Sequence, residues 1–273
     1  MKLCDMHAHS SNSFDAKNSV DEMCQSAIDK GLYAIAITDH CESPMIKEGA
    51  GSRYGYFDEL IPKSYNEAVT AKNKFAQSIK VLCGIELGEP VHDIDCTEKA
   101  LNYGKFDFII ASVHNLRNME DFYYLNFNNE DINKILNLYF DELAETAAFG
   151  HFDSLAHLTY PLRYIKRDTG KFPDLEEYQD KIDLIYEILI KNKKALEINV
   201  SGFYKGLDTS LPDENQIKRF KKLGGEYITI GSDAHCSGDV GRYIKKGIEI
   251  AGNAGFEYYV IYENRQPVLI DIR

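Results

Sequence analysis

The chain has 273 residues, 44% of them hydrophobic, which suffices for one large α/β domain or two small ones with a sizeable core and excludes disorder. Against 43 acidic residues stand 31 basic ones, a formal charge of −12, which argues against a surface that grips nucleic acid or an anionic membrane. A small anionic substrate stays compatible with that charge, because a metal site overrides net charge locally. None of the six cysteines forms a Cys-x-x-Cys pair, so neither a zinc knuckle nor a thioredoxin-like motif is indicated. The absence of an apolar stretch long enough for a signal peptide or a membrane span sets a cytoplasmic location as the expectation.

The first apolar run ends in Asp5-Met6-His7-Ala8-His9-Ser10. On a strand, residues two apart share a face, so both imidazoles reach one point. Ser19-Val20-Asp21-Glu22 reads as a capping box opening a helix that stops at Gly31. Ala34 to Thr38 is then a short buried strand, and strand–helix–strand implies parallel pairing. The unit recurs. Helices are expected at about Asp58–Phe75, Thr97–Tyr103 and Asp131–Phe149, then from Pro173 to about Lys191, Pro212 to Gly224 and Arg242 to Ala254. Strands follow them at Val81–Ile85, Phe108–Ala111, Ser154–Ala156, Ala195–Ile198, Tyr227–Ile230 and Tyr258–Tyr262. No composition break marks a boundary, so residues 1–273 are read as a single domain.

Connections from helix to strand are short, whereas those from strand to helix are long: Cys41 to Phe57, Asn115 to Asn129, Leu158 to Asp174 and Val200 to Leu211. Long loops at the carboxyl ends of parallel strands are where barrels and open α/β sheets build their sites. The repeat count of roughly seven or eight favours a barrel; periodicity leaves an open doubly wound sheet as the alternative.

Six of the eight histidines fall at strand ends. The first strand leads to His7 and His9, with Asp15 shortly after. The following ones lead to Asp39-His40, Glu86, His114, His157, Asn199 and Asp233-Ala234-His235. Imidazoles and carboxylates bind zinc, manganese and iron, and one ion takes three or four protein ligands. Nine candidates, six histidines with Asp15, Glu86 and Asp233, suit two or three ions with a carboxylate such as Glu86 bridging. His92 is expected to be a loop histidine without a metal role, and His151 a structural one on the opposite rim. Asp5 and Asp39 read either as carboxylates that orient the ligand imidazoles or as strand-end caps.

Together, Asp5-x-His7-x-His9-Ser10, Thr38-Asp39-His40, Gly84-Ile85-Glu86, Ser112-Val113-His114, Ala156-His157 and Ser232-Asp233-Ala234-His235 resemble the motifs of the polymerase and histidinol phosphatase (PHP) family. The resemblance spans residues 5 to about 241 and implies a distorted TIM-like (β/α)7 barrel with a trinuclear metal site at the carboxyl-terminal rim of the strands. It implies that His7, His9, Glu86 and Asp233 hold one metal. Glu86 would bridge to a second, completed by His114 and His157, and Asp15, His40 and His235 would hold the third. Size, the stretch His157 to Tyr164, the stretch Leu196 to Gly202 and the long loop after His40 look most like the monofunctional histidinol-phosphatases of that family.

The expected reaction is hydrolysis of L-histidinol phosphate in histidine biosynthesis, by attack of a metal-bridging hydroxide on phosphorus, with two or three zinc, manganese or iron ions as cofactors. The expected partner is thus a small-molecule phosphate ester, with neither nucleic acid nor membrane involved. Other family chemistry on a nucleotide, sugar phosphate, phosphodiester or phosphotyrosine is the alternative, and a non-catalytic metal-binding barrel ranks below both. Arg163, nearest to His157 in the basic run Arg163, Lys166, Arg167 and Lys171, is expected to clamp phosphate as a catalytic and substrate-binding residue, because a guanidinium matches two oxygens at once. Asn199, Ser201 and Arg242 are further substrate-binding candidates. Asp233 is placed in the catalytic set, and His235 or a metal-bound water would protonate the leaving group. The amine and imidazole of the substrate would meet loop residues among Glu42, Tyr54, Tyr56, Asp121, Phe122 and Tyr123.

Overall fold

Each strand of the main sheet is followed by a segment that carries the chain back over the outside, so neighbouring strands pair in parallel. The computed structural model describes residues 1–42 and 57–273. In chain order the elements are β1 (Cys4–Ala8), α1 (Val20–Asp29), β2 (Ala34–Ile37), β3 (His40–Glu42), α2 (Phe57–Lys74), β4 (Lys80–Gly88), α3 (Ile94–Leu101), β5 (Phe108–Ser112) and α4 (Ile132–Phe149). The second half continues with β6 (Ser154–Leu155), α5 (Pro161–Thr169), α6 (Gln179–Lys191), β7 (Ala195–Asn199), α7 (Glu214–Leu223), β8 (Ile228–Gly231), α8 (Ile244–Asn253), β9 (Tyr258–Glu263) and β10 (Gln266–Asp271).

The strand path is β1-β2-β4-β5-β6-β7-β8, seven parallel strands flanked by helices. β3 continues β2 past Thr38 and Asp39 and pairs with β4 in the same register, His40 opposite Glu86. The sheet curls until its ends meet: Asp233 N–H donates to His7 O and His9 N–H to Ala234 O, both at 2.8 Å. The barrel therefore nearly closes, and it does so through residues of the histidine motifs. Every residue of β1, β2, β5, β7 and β8 is buried, as expected of parallel strands covered on both faces. Val20, Met23, Cys24 and Ala27 of α1 join Ile35 and Ile37 of β2 and Val81 and Cys83 of β4 in one apolar cluster.

Local rules explain the helix ends. Ser19 and Glu22 form the reciprocal capping box read from the sequence, with Ser19 N–H donating to Glu22 Oε2 at 2.8 Å. Gly150 ends α4 in the left-handed conformation, φ +70°.

Two elements differ from the sequence reading. The stretch expected as a loop between Leu158 and Asp174 contains α5, started by Pro161 at its first position and stopped by Gly170; nine residues with a strongly charged outer face carry a weak periodic signal. The last strand expected from the sequence, β9, joins no barrel strand among the described residues but pairs antiparallel with β10 across a two-residue turn, Asn264-Arg265, both at positive φ. Without a glycine that turn is hard to read from sequence. The hairpin covers the amino-terminal mouth of the barrel: Tyr259 OH donates to Lys2 O (2.8 Å), Asn264 N–H to Asp107 Oδ1 (3.1 Å) and Arg265 Nε to Asp153 Oδ2 (2.5 Å). Among the described residues no helix is long and apolar enough to cross a membrane.

Asp153 is buried and also accepts Ile109 N–H at 2.8 Å, so it ties the hairpin to β5. Asp153→Ala strands both donors and is expected to lower stability by about 2–4 kcal/mol in urea denaturation, with metal content unaltered because the site lies at the other mouth.

Candidate metal centre and active site

Glu86, fully buried near the end of β4, is the centre of the carboxyl rim. His157 Nε2 lies 3.1 Å from its Oε1 and His114 Nε2 3.3 Å from the same oxygen. On Oε2 converge His40 Nδ1 at 2.9 Å, His7 Nε2 at 3.4 Å and His9 Nε2 at 3.6 Å. Asp233 Oδ1 adds a second carboxylate, 3.8 Å from His9 Nε2 and 3.3 Å from His235 Nδ1. Nearer the mouth Asp15 lies 3.7 Å from His40 Nε2 and 3.1 Å from His235 Nε2. The structure thus brings all nine sequence-predicted ligand residues into one cluster, although they come from six separate stretches of chain. Asp233 holds φ +53°, a conformation costly for a non-glycine residue and typical of functional sites.

The donor set fits divalent cations. Among the described residues, His7 Nε2, His9 Nε2, His40 Nδ1 and Glu86 Oε2 are buried and make no hydrogen bond, although they face one another. Orphaned polar atoms are rare in folded interiors, and four of them converging call for a cation. Four overlapping trios have donor atoms within 4.8 Å of one another: His7, His9 and Asp233; His7, Glu86 and His157; His9, His40 and His235; His40, Glu42 and His114. Charge follows the same plan. Burial works against ionisation of Glu86, yet His7, His114 and His40 hold its carboxyl well below the usual range. Burial likewise opposes the charge on Asp233, and Lys205, His235, His7 and Arg163 hold it well below normal. Burial, reinforced by His235 and His40, pushes His9 well below the usual imidazole range, so it is a neutral donor.

Behind the cluster stands a layer of carboxylates. Glu197 on β7, fully buried, takes His7 Nδ1 at 2.7 Å and His157 N–H at 2.7 Å. The Glu197 bond fixes the His7 tautomer with Nδ1–H outward and Nε2 free toward Glu86. Gly231 makes room for this contact, since a Cβ there would collide with Glu197 Oε1 and His7 Cβ. Glu42 lies 3.1 Å from His114 Nδ1 and 3.2 Å from His40 Nδ1. Glu89 accepts the His114 N–H; burial and the neighbouring Glu42 push its carboxyl well above the usual range. Asp5 and Asp39 act as caps and touch no imidazole. Asp5 accepts Ser232 N–H (2.8 Å), Ser232 OH (2.5 Å) and Gly241 N–H (2.8 Å). Asp39 accepts from Ser10, Ser13 and Ser64, and reaches His9 only through Ser13, whose Oγ lies 3.3 Å from His9 Nδ1.

A cavity of about 670 Å³ opens onto this cluster. Arg163 lines it from α5, its Nη2 donating to Ser201 Oγ at 2.6 Å and lying 3.6 Å from Asp233 Oδ2, while its buried Nε has no partner among the described residues. Lys205 lines it too, 3.4 Å from Asp233 Oδ1. Asn199 and Ser201, expected against substrate, are instead buried behind Asp233: Ser201 OH lies 3.1 Å and Asn199 Nδ2 3.5 Å from Asp233 Oδ2. Arg242 stays outside the cavity, paired with Asp239 at 2.8 Å and stacked on Tyr204. Lys166 pairs with Asp208, and Lys171 is exposed. Asp121 and Tyr123 line the cavity, Phe122 is in the core, and Tyr54 and Tyr56 lie outside the described residues. His92 pairs with Glu142 at 2.6 Å, and His151 packs tilted against Phe149 on the hairpin side.

Sequence reasoning missed Glu89, Glu197 and Lys205 as site residues and gave Glu42 to the substrate. Glu42 is two residues past His40 on one strand and Glu197 two before Asn199 on another, so period-two spacing was an available signal. Lys205 carries none: a 3-10 turn at Val200–Phe203 brings it to Asp233.

The PHP domain family model matches residues 5–201. The chain is 29% identical over 266 residues to a probable histidinol-phosphatase of Clostridium acetobutylicum, covering 96% of this chain and 97% of that one. It is 28% identical over 270 residues to a histidinol-phosphatase of Lactococcus lactis subsp. lactis, 94% and 93% covered. In fold it matches the crystal structure of histidinol phosphate phosphatase from Lactococcus lactis subsp. lactis, complexed with zinc, L-histidinol and phosphate, at a TM-score of 0.83 and 24% identity over 98% of this chain and 99% of that one.

Glu197→Gln removes the charge that orients His7 while keeping the volume. It is expected to weaken metal retention about 10- to 100-fold, read by competition with a chromophoric chelator; unchanged retention would remove Glu197 from the site.

Proposed function

The chain belongs to the PHP domain family, and on that premise we propose that it is a metal-dependent phosphomonoesterase that hydrolyses L-histidinol phosphate to L-histidinol and phosphate. The observation that carries the reading is the convergence of nine imidazole and carboxylate groups on a cavity that also presents the buried guanidinium of Arg163. Two relatives of matching length are named histidinol-phosphatase and probable histidinol-phosphatase, which supports this substrate over other phosphate esters. Because Asp233 and His235 lie beyond residue 201, the whole chain is taken to act as one PHP-type unit. A cytoplasmic location accords with the buried thiols Cys4, Cys24, Cys41 and Cys83.

His7, His9, Glu86 and Asp233 would hold one ion, Glu86 with His114 and His157 a second, and Asp15, His40 and His235 a third. Zinc, manganese or iron all suit this donor set. When bound, such ions neutralise charge on the phosphoryl oxygens and make water acidic enough to ionise near neutral pH.

The chain's own side chains do the rest. Arg163 binds the phosphoryl group: its Nε is buried and unpartnered, and its Nη2 is already oriented by Ser201, so little is lost in positioning it. Lys205 adds a second positive charge beside Asp233. Asp233 is ionised and fixed by Ser201 and Asn199, so it is positioned to accept the proton of the attacking water. His235 lines the cavity with Nδ1 3.0 Å from the Asp233 carbonyl and Nε2 3.1 Å from Asp15, a pair of contacts that aims Nε2 at the position of the third ion.

Phosphate release from L-histidinol phosphate, beside a panel of phosphomonoesters and a phosphodiester, tests the substrate. Selective turnover of L-histidinol phosphate is expected. Cleavage of another ester in its place would keep the chemistry and discard this substrate. Arg163→Ala is expected to lower kcat/KM by about 100-fold or more at undiminished metal content.

A further inference from the structure

The cavity carries charge of both signs outside the metal cluster. Arg163 and Lys205 sit beside Asp233, and both are engaged by it. Asp121, on the loop after β5, lines the same cavity and is paired differently. One of its oxygens accepts Tyr123 N–H at 2.8 Å, and among the described residues no lysine or arginine forms an ion pair with it. Surrounding protein shields it enough that burial raises its carboxyl above the usual range. Asp121 is half-buried and faces the cavity, so a cation arriving there meets a carboxylate whose partner is an uncharged backbone N–H.

The loop is firmly held. Phe122 is fully buried against Phe127 and Tyr139, and its N–H donates to His114 O at 3.0 Å. Arg167 of α5 donates to Tyr123 O at 2.8 Å and Leu125 O at 2.7 Å, and Asp168 accepts Phe127 N–H at 2.9 Å. The same helix carries Arg163 one turn earlier, so the spacing between Asp121 and the guanidinium is fixed by one rigid element. Tyr160 and Tyr164, joined hydroxyl to hydroxyl at 2.8 Å, feel the charges of both groups, and Tyr123 packs edge-on to Tyr164. Tyr123, Tyr160 and Tyr164 line the cavity, with Arg163 beside the Tyr160 ring and Arg167 beside those of Tyr123 and Tyr164.

We propose that Asp121 determines specificity by receiving the cationic group of the leaving alcohol, an ammonium or an imidazolium, while the phosphoryl end of the same molecule lies against Arg163. The proposal rests on the phosphomonoesterase reading above. It defines the substrate class as phosphate monoesters whose alcohol carries a positive charge within one cavity's length of the phosphate.

The test uses the full chain loaded with manganese and compares wild type with Asp121→Asn, which keeps an acceptor for Tyr123 N–H. Values of kcat/KM are taken for L-histidinol phosphate, for aminoalkyl phosphates and for neutral phenyl phosphate, with inhibition constants for L-histidinol and inorganic phosphate. Wild type is expected to prefer the cationic esters, and the variant to lose about tenfold or more of that preference, with L-histidinol inhibition weakened relative to phosphate by a similar factor. Equal losses on cationic and neutral esters, or no preference in wild type, would overturn the assignment. A wild type that ignores L-histidinol phosphate but favours aminoalkyl phosphates, with the preference erased in the variant, would keep Asp121 in this role and discard the named substrate.

Discussion

The Glu86 carboxylate, wholly enclosed by protein, has five imidazoles within 3.6 Å and, among the described residues, no lysine or arginine paired with it. An isolated buried carboxylate would take up a proton; the imidazoles keep this one charged, and among the described residues three of the facing nitrogens, like Glu86 Oε2 itself, have no hydrogen-bond partner. Such an arrangement is poor as a stabilising device and good as a coordination shell, since cations satisfy every orphaned atom at once. The fold supplies the positions. β1 and the turn after β8 are stitched together by backbone bonds through His7, His9, Asp233 and Ala234, so closing the barrel and assembling the site are one event.

Around that core the charges are layered. Glu197 orients His7 and anchors His157, Glu42 faces His114 and His40, and Asp39 acts on His9 only through Ser13. On the cavity side, Asp233 is gripped by Ser201 and Asn199 from behind and by Arg163 and Lys205 from the front. Removing one of these partners leaves another buried charge unmatched, so the layers act together more than separately. The opposite mouth is closed by the β9–β10 hairpin through Asp107 and Asp153, which separates the stability of the barrel from the chemistry of its rim.

Much of this was readable from the chain alone. Apolar runs ending in His, Glu or Asp placed the nine candidate ligands at one rim, because strand ends in a parallel barrel share a mouth. Carboxylates that act on those ligands were harder to see. Glu42 and Glu197 sit on the same strands as residues that were singled out, yet an acidic residue in a strand has several ordinary explanations. Arg163 was legible as a charge near His157, but its helix was not, since α5 is short and only Pro161 and Gly170 mark its ends. Asn199 and Ser201 illustrate the limit of proximity in sequence: they stand beside the site, and only the backbone path shows that they face Asp233 from behind rather than the cavity. Lys205 and the Asn264-Arg265 turn depend on loop conformations that no periodicity announces.

Elemental analysis of the chain after chelation, reconstitution with manganese and removal of excess metal tests the central claim most directly. Two to three ions per chain in wild type, falling when Glu86 is replaced by alanine in a protein that still folds, is the expected result. Fewer than one ion per chain, or a full complement that survives loss of Glu86, would contradict the reading of this carboxylate as the shared centre of a metal cluster.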